Sequence, residues 1–316
     1  MLMRRNKYSI TTNLLLTLCY SAWGTSHAID ELFTFSCLPL TVQWSDPIVS
    51  PGKPSSHTHV VSGGTAFQRL MTTETAKLAN DTTCGVEIDK SNYWIPQLYH
   101  QTQDGPFELI EHENNASCDH SAHAISCDRT KYLLAPPAGL RALAGNLFLR
   151  TYNESDITQR AISHMCMKED GSSMAYPATG DYNLGVCPKT HPIAIYSIFL
   201  EFFFNTGPFP DHENWGYAMG DPTGYGLHGD FINGWTDQEA LQSAMKTCTG
   251  PERLSDPICS ITRIQKRALT PVTHPLDAPP PAEELGQHGP LPKLPGDNPV
   301  TELHEAQWPE RFGSSI

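Results

Sequence analysis

Two stretches far apart in the chain carry side chains at ligand-like spacing. PGKPSSHTHVVSGG (51–64) places His57 and His59 one residue apart, and GDPTGYGLHGDFINGW (220–235) places His228 and Asp230 in the same relation. Alternate residues of an extended segment share a face, so His57 and His59 present both rings the same way, with β-carbons about 7 Å apart. Such a pair chelates a metal ion when a third ligand arrives from elsewhere, and His228 is the best donor. His57, His59 and His228 are therefore the candidate ligands of a divalent metal ion, whose identity the sequence leaves open. The same residues also suit acid–base work. His57 or His59 would serve as base, His228 and Asp230 would position substrate, and Tyr225 would donate a proton, at the mildly acidic pH outside many cells.

Gly224, Gly226 and Gly229 surround His228. Glycine at this density beside histidine and aspartate marks backbone held in a demanding conformation, often where a ligand comes close. His191 opens an apolar stretch ahead of Pro192, and Glu201 sits inside that stretch, a costly place for a carboxylate unless it faces a polar site. The competing role for every one of these histidines is structural, since strand-end imidazoles also satisfy buried backbone groups. His100, His112, His120 and His123 lie in polar sequence and read as solvated. A carboxylate pair drawn from Asp46, Glu201, Asp221 and Asp230 would be needed for glycoside hydrolysis, and sequence gives no distance between them. Tyr93, Trp94, Trp215, Tyr225 and Trp235 could stack on sugar rings or fill the core. No Gly-x-Ser-x-Gly elbow and no phosphate-binding glycine loop occurs.

The elements that must hold these residues read as strands. Residues 91–100, 106–113, 139–146 and 192–205 are short aliphatic or aromatic runs bounded by Gly, Pro or Asn. Their spacing predicts a mainly β, β-sandwich-like mixed fold with a few short helices. Thr236-Asp237-Gln238-Glu239 has the form of a capping box, with Ala240, Leu241, Ala244, Met245 and Cys248 on one face of the helix it opens. A weaker helix is expected over Phe67–Ala79.

Arg4, Arg5 and Lys7 followed by a leucine-rich run and Ser26-His27-Ala28 read as a signal peptide over 1–28. A single globular β-rich domain over 29–267 follows, then a proline-rich tail over 268–316, expected to be extended or disordered. Ten of the 26 prolines fall in 271–316. Export agrees with eight cysteines outside the leader, enough for four disulfides, with Cys118–Cys127 and Cys248–Cys259 as local loops. Sequons at Asn80, Asn115 and Asn153 are candidate glycosylation sites. Beyond the leader, 18 basic residues face 34 acidic ones, a net charge of −16 that argues against nucleic acid as a partner. No later run is apolar enough for a membrane span, so a secreted, extracellular product without a membrane partner is expected.

PLTVQWSDPIVSPGKPSSHTHVVSGGTAF, DKSNYWIPQLY, AGLRALAGN, CPKTHPIAIYSIFLE and DPTGYGLHGDFINGW follow one another as ordered landmarks between Phe35 and Cys248. In them the chain resembles a large, chiefly fungal secreted family, the domain of unknown function nineteen ninety-six. The resemblance implies export and a single disulfide-bonded domain, and implies no reaction. Trp44 stands where members commonly have arginine, and the stretch before Met174-Ala175-Tyr176-Pro177 is shorter than usual and lacks histidine after His164. Three readings stand: a secreted protein acting on or binding a cell-wall polysaccharide or other glycan through a His/Asp cleft; a non-catalytic secreted glycoprotein, wall-associated or host-facing, whose histidines are structural; and a structural coat or matrix protein in which the histidines only shape the fold.

Overall fold

The structure, a computed structural model, describes residues 32–113, 119–123, 134–153, 164–178, 186–249, 252–262, 265–266 and 276–301. The expected leader, the Asn115 sequon and the Cys118–Cys127 pair lie outside them. The described chain is mostly β, as the short bounded runs predict, and forms three antiparallel sheets.

The sheet that carries both histidine stretches has the strand order β2 (Pro39–Ser45), β3 (Pro54–Gly63), β4 (Asn92–Pro96), β13 (His228–Ile232) and β8 (Arg141–Gly145). A second sheet orders β1 (Leu32–Phe33), β7 (Asp119–His123), β11 (Ile193–Glu201), β9 (His164–Met167) and β10 (Met174–Ala175). The third pairs β12 (Trp215–Tyr217), β5 (Leu98–Gln101) and β6 (Phe107–Leu109).

The central strands of the first sheet, β3, β4 and β13, are covered on both faces, which explains why β3 is buried continuously from His57 onward, while the edge strands β2 and β8 are partly exposed. On one face Val60, Tyr93, Ile95 and Phe231 join Phe33, Trp235 and the helix residues Leu241, Ala244 and Met245 in the main core. On the other, Val61, Trp94 and Ile232 meet Phe67 and Met71. Alternation along the strands places His57, His59, His228 and Asp230 on this second face, beyond the apolar cluster. At about 1.5–3 kcal/mol for each fully buried large side chain, the apolar rows on either face dominate the stability of the sheet.

The one α-helix among the described residues, α1, spans Gln238–Thr247. Its start corrects the capping-box expectation. Asp237 is the cap, its Oδ1 accepting from the Ala240 N–H at 2.9 Å, while the Thr236 hydroxyl donates to the Ile88 carbonyl. Asp237→Ala should therefore cost about 1 kcal/mol in a thermal melt, and Thr236→Val clearly less. The helix expected over Phe67–Ala79 also needs correction, because only a 3-10 turn at Ala76–Leu78 forms there. Thr72 and Thr75 hydroxyls bond to each other and to nearby backbone N–H groups, the local competition that draws threonine out of helices.

Disulfides join Cys37–Cys84, Cys166–Cys187 and Cys248–Cys259, the last pinning the end of α1 as expected. No helix among the described residues is long and apolar enough to cross a membrane. Within the proline-rich tail, residues 276–301 contain no named helix or strand, consistent with their proline content, yet Leu285, Leu291 and Leu294 are buried. Leu291 and Leu294 pack on Tyr99, Phe107 and Ala218. This segment forms a strap across the body.

Candidate metal centre

Strand pairing brings the distant stretches together. His59 lies opposite Pro96 on β4, and Asp230 lies opposite Trp94 on the same strand, so β4 alone separates β3 from β13. Two glycines seat His228. Gly145, with φ of +106°, pairs with it, and a β-carbon there would lie 2.7 Å from the His228 α-carbon. A β-carbon on Gly226 would sit within 2.9 Å of the Asp221 carboxylate and the Leu147 carbonyl. Gly145 and Gly226 thus exclude larger residues by collision, and Gly224 is held at φ of +77°, a conformation that favours glycine.

The three imidazoles meet. His57 Nε2 is 3.1 Å from His228 Nε2, and the His57 and His59 ring centres are 4.3 Å apart. One ligand atom from each of His57, His59 and His228 falls within 4.8 Å of the other two. Behind the rings, His59 Nδ1–H donates to the Ser45 carbonyl at 3.0 Å and His228 Nδ1–H to the Gly226 carbonyl at 3.1 Å. Both Nε2 lone pairs therefore face inward. This is the arrangement in which a metal-ligating imidazole is oriented by a backbone acceptor on its far nitrogen. His57 Nδ1 meets the Ser56 hydroxyl at 2.9 Å. Since a hydroxyl both donates and accepts, His57 can hold its proton on Nε2 toward His228, or on Nδ1 with Nε2 freed as a ligand.

Burial sets the protonation. Desolvation, reinforced by the neighbouring His228, lowers the His57 pKa to about 3. His59 is likewise held well below its ordinary value by burial and then by His57 and His228. His228 is lowered by burial, opposed by its bond to Gly226 and by the charge of Asp46. The three rings are therefore neutral at physiological pH, the form that binds metals. Asp230 is pushed well above the carboxylate range by burial and by Asp46.

The other sequence-selected residues fare differently. Asp230 belongs to the cluster, and so does Asp46: Asp46, His59 and Asp230 form a second group whose ligand atoms also lie within 4.8 Å of one another. The sequence names Asp46 only as one carboxylate among four for a glycosidase pair; in the fold its Oδ1 accepts from the Ile48 and Val49 N–H groups, as a turn residue does. Asp221 is fully buried but occupied by Thr223 and Gly226. Glu201 lies on β11 of the second sheet. His191 bonds to Ser173 and Thr190 and takes no part in the triad. Tyr225 is half-buried, its ring 6.3 Å from that of Tyr152, and is not among the converging donors.

Tyr93, Trp94 and Trp235 are core residues, each at most 3 % exposed, so they are unavailable for stacking on sugars. His100 and His112 correct the expectation of solvated loops. Both are buried, His100 against Asp211 and His112 between Phe202 and Phe204, because each sits on or beside a strand end that the apolar sheet covers. The side chains of His120 and His123 lie outside the described residues.

Fold and cluster together define a disulfide-bonded, mostly β domain with a buried histidine–aspartate centre. The chain belongs to the family described as Domain of unknown function (DUF1996), whose model matches residues 46–173 and 167–235 and so spans every member of the cluster. No curated protein and no solved structure matches the chain.

Proposed function

We propose that this is a secreted protein that holds a divalent metal ion at a buried centre formed by His57, His59 and His228, and that acts on or binds a cell-wall polysaccharide at the surface beside that centre. The observation that carries the reading is the convergence of three neutral imidazoles from strands 171 residues apart, at 3.1 Å for the His57–His228 pair, with two of them oriented by backbone carbonyls. A metal ion there supplies a Lewis acid, and the surrounding chain fixes the donors and excludes bulk water. Export is supported by the three disulfides and by the basic, leucine-rich start of the chain. The glycan half rests on the loop that follows Gly145, where Phe148 and Tyr152 are 80 % and 47 % exposed and Tyr152 neighbours Tyr225. An aromatic ledge beside the strand pair that seats His228 suits stacking against sugar rings.

Elemental analysis of untagged protein should return one bound transition metal per chain, and His228→Ala should return less than a tenth of that. Incubation with β-glucans, chitin, mannans and acidic polysaccharides, read by reducing ends, by unsaturated products and by pull-down, should then single out one polymer. Tyr152→Ala should weaken its retention about tenfold, at ~1–1.5 kcal/mol for one aromatic contact. A protein that is metal-free and whose His228→Ala variant melts several kcal/mol lower supports the second reading, a non-catalytic glycoprotein with structural histidines. That reading is favoured by burial: His57, His59 and His228 are 2 %, 0 % and 3 % exposed.

A further inference from the structure

The three imidazoles leave part of the buried cluster unexplained. Asp230 is 0 % exposed, and neither of its carboxylate oxygens has a hydrogen-bond partner among the described residues. His59 Nε2 and the indole N–H of Trp94, which lies opposite Asp230 in the strand register, are also unpartnered. Asp46 is 3 % exposed, and its orientation is fixed by the Ile48 and Val49 N–H groups. The neighbouring cations are committed elsewhere: Arg69 to Glu283 and the Trp44 carbonyl, and Arg150 to Asp221 and backbone carbonyls. Among the described residues no side-chain cation balances these two carboxyl groups, so they share the closed interior either with one of them protonated or with a metal supplying the charge.

His59 joins the two halves. A ring nitrogen of His59 lies within 4.8 Å of donors from His57 and His228 in one group, and a ring nitrogen of the same residue lies within 4.8 Å of carboxylate oxygens from Asp46 and Asp230 in the other. We propose that Asp46 and Asp230 are the carboxylate half of the same centre, so that one divalent cation is held by three imidazoles and two carboxylates. Such a set is electrically neutral when a 2+ ion is bound. Its five donors exceed the tetrahedral complement of structural zinc. Mixed imidazole and carboxylate donors in that number suit manganese(II) or iron(II), which accept five or six ligands, over copper(I), which prefers sulfur. The inference rests on the proposed histidine centre and extends it to the class of ion.

The test uses chelator-treated full-length protein and manganese(II), with free ion read from its six-line electron paramagnetic resonance signal. One manganese per chain should bind to the wild type and quench that signal. Asp230→Asn and Asp46→Asn should each weaken manganese binding at least tenfold and weaken zinc binding, measured by competition with a chromophoric chelator, much less. His228→Ala should weaken both ions. Wild-type protein that binds zinc but not manganese overturns the carboxylate assignment and leaves the histidine centre standing, and that comparison needs no variant to fold. Manganese binding unchanged in both aspartate variants also overturns it. Failure of the wild type to bind either ion overturns the histidine centre itself.

Discussion

Saturating chelator-treated protein with its divalent ion should raise the melting temperature by about 8–16 °C. At a thousandfold excess over the dissociation constant, binding to the native state alone contributes about 4 kcal/mol, and in a domain of this size each kcal/mol moves the midpoint by about 2–4 °C. The pH dependence of the metal-free protein should show why the ion matters. His57 has a folded pKa depressed from 6.5 to about 3. Below 6.5 the unfolded chain therefore takes up a proton that the native chain refuses, and native stability falls with acidification. Between pH 6.5 and 5 that single residue withdraws about 2 kcal/mol, and His59 and His228 act in the same direction.

Asp230 has the opposite sign. Its raised folded pKa means that stability declines as pH rises above the ordinary carboxylate range. Metal-free protein is thus weakened from both sides, and a bound cation relieves both. Differential scanning fluorimetry across pH 4–8 with and without metal checks this, and superimposable melts under the two conditions would sink the metal reading.

Removing the Cys37–Cys84 disulfide should cost about 4 kcal/mol, from the loop-closure entropy of the 47-residue separation it closes. Both sulfurs are fully buried in the main core. The loop they close contains β2, β3 and therefore Asp46, His57 and His59. The double variant Cys37→Ala, Cys84→Ala should melt about 8–16 °C lower, and it should bind metal more weakly than the loss of Cys166–Cys187, whose loop carries none of the cluster. Equal metal affinity in the two disulfide variants would show that the β2–β3 hairpin holds its ligands without the crosslink.

The candidate ligands were legible because strand alternation is a strict period of two. His-x-His and His-x-Asp each present two donors to one face wherever the segment is extended, and β3 and β13 are. Glycines around His228 were also readable, since Gly226 has backbone and carboxylate atoms within 2.9 Å of where a β-carbon would stand. The orienting acceptors were not readable. The carbonyls of Ser45 and Gly226 belong to the backbone and leave no residue-type signal. Asp46 was named only as a possible glycosidase carboxylate and not as a neighbour of the histidines, because one of its oxygens does the ordinary work of a turn while the carboxyl also lies near His59 and Asp230.

Where local pattern failed, a competing hydrogen bond decided the outcome. Asp237 outcompeted Thr236 for the helix start because the Thr236 hydroxyl was already engaged with Ile88. The threonines at 72 and 75 closed on themselves instead of continuing a helix.

The strap over 276–301 reaches three places that flank the ligands. Glu283 accepts from the Trp44 N–H and pairs with Arg69, next to the Ser45 carbonyl that orients His59. Asn298 donates to the Ser56 carbonyl beside His57 at 2.8 Å. The Thr301 N–H donates to the Gly220 carbonyl at 2.9 Å, on the loop that leads to His228. Ribosomes deliver this part of the described chain last. A nascent polypeptide halted before it would own every donor atom yet lack the contacts that brace the segments beside them, so the ion should be held firmly only once residues 276–301 have docked.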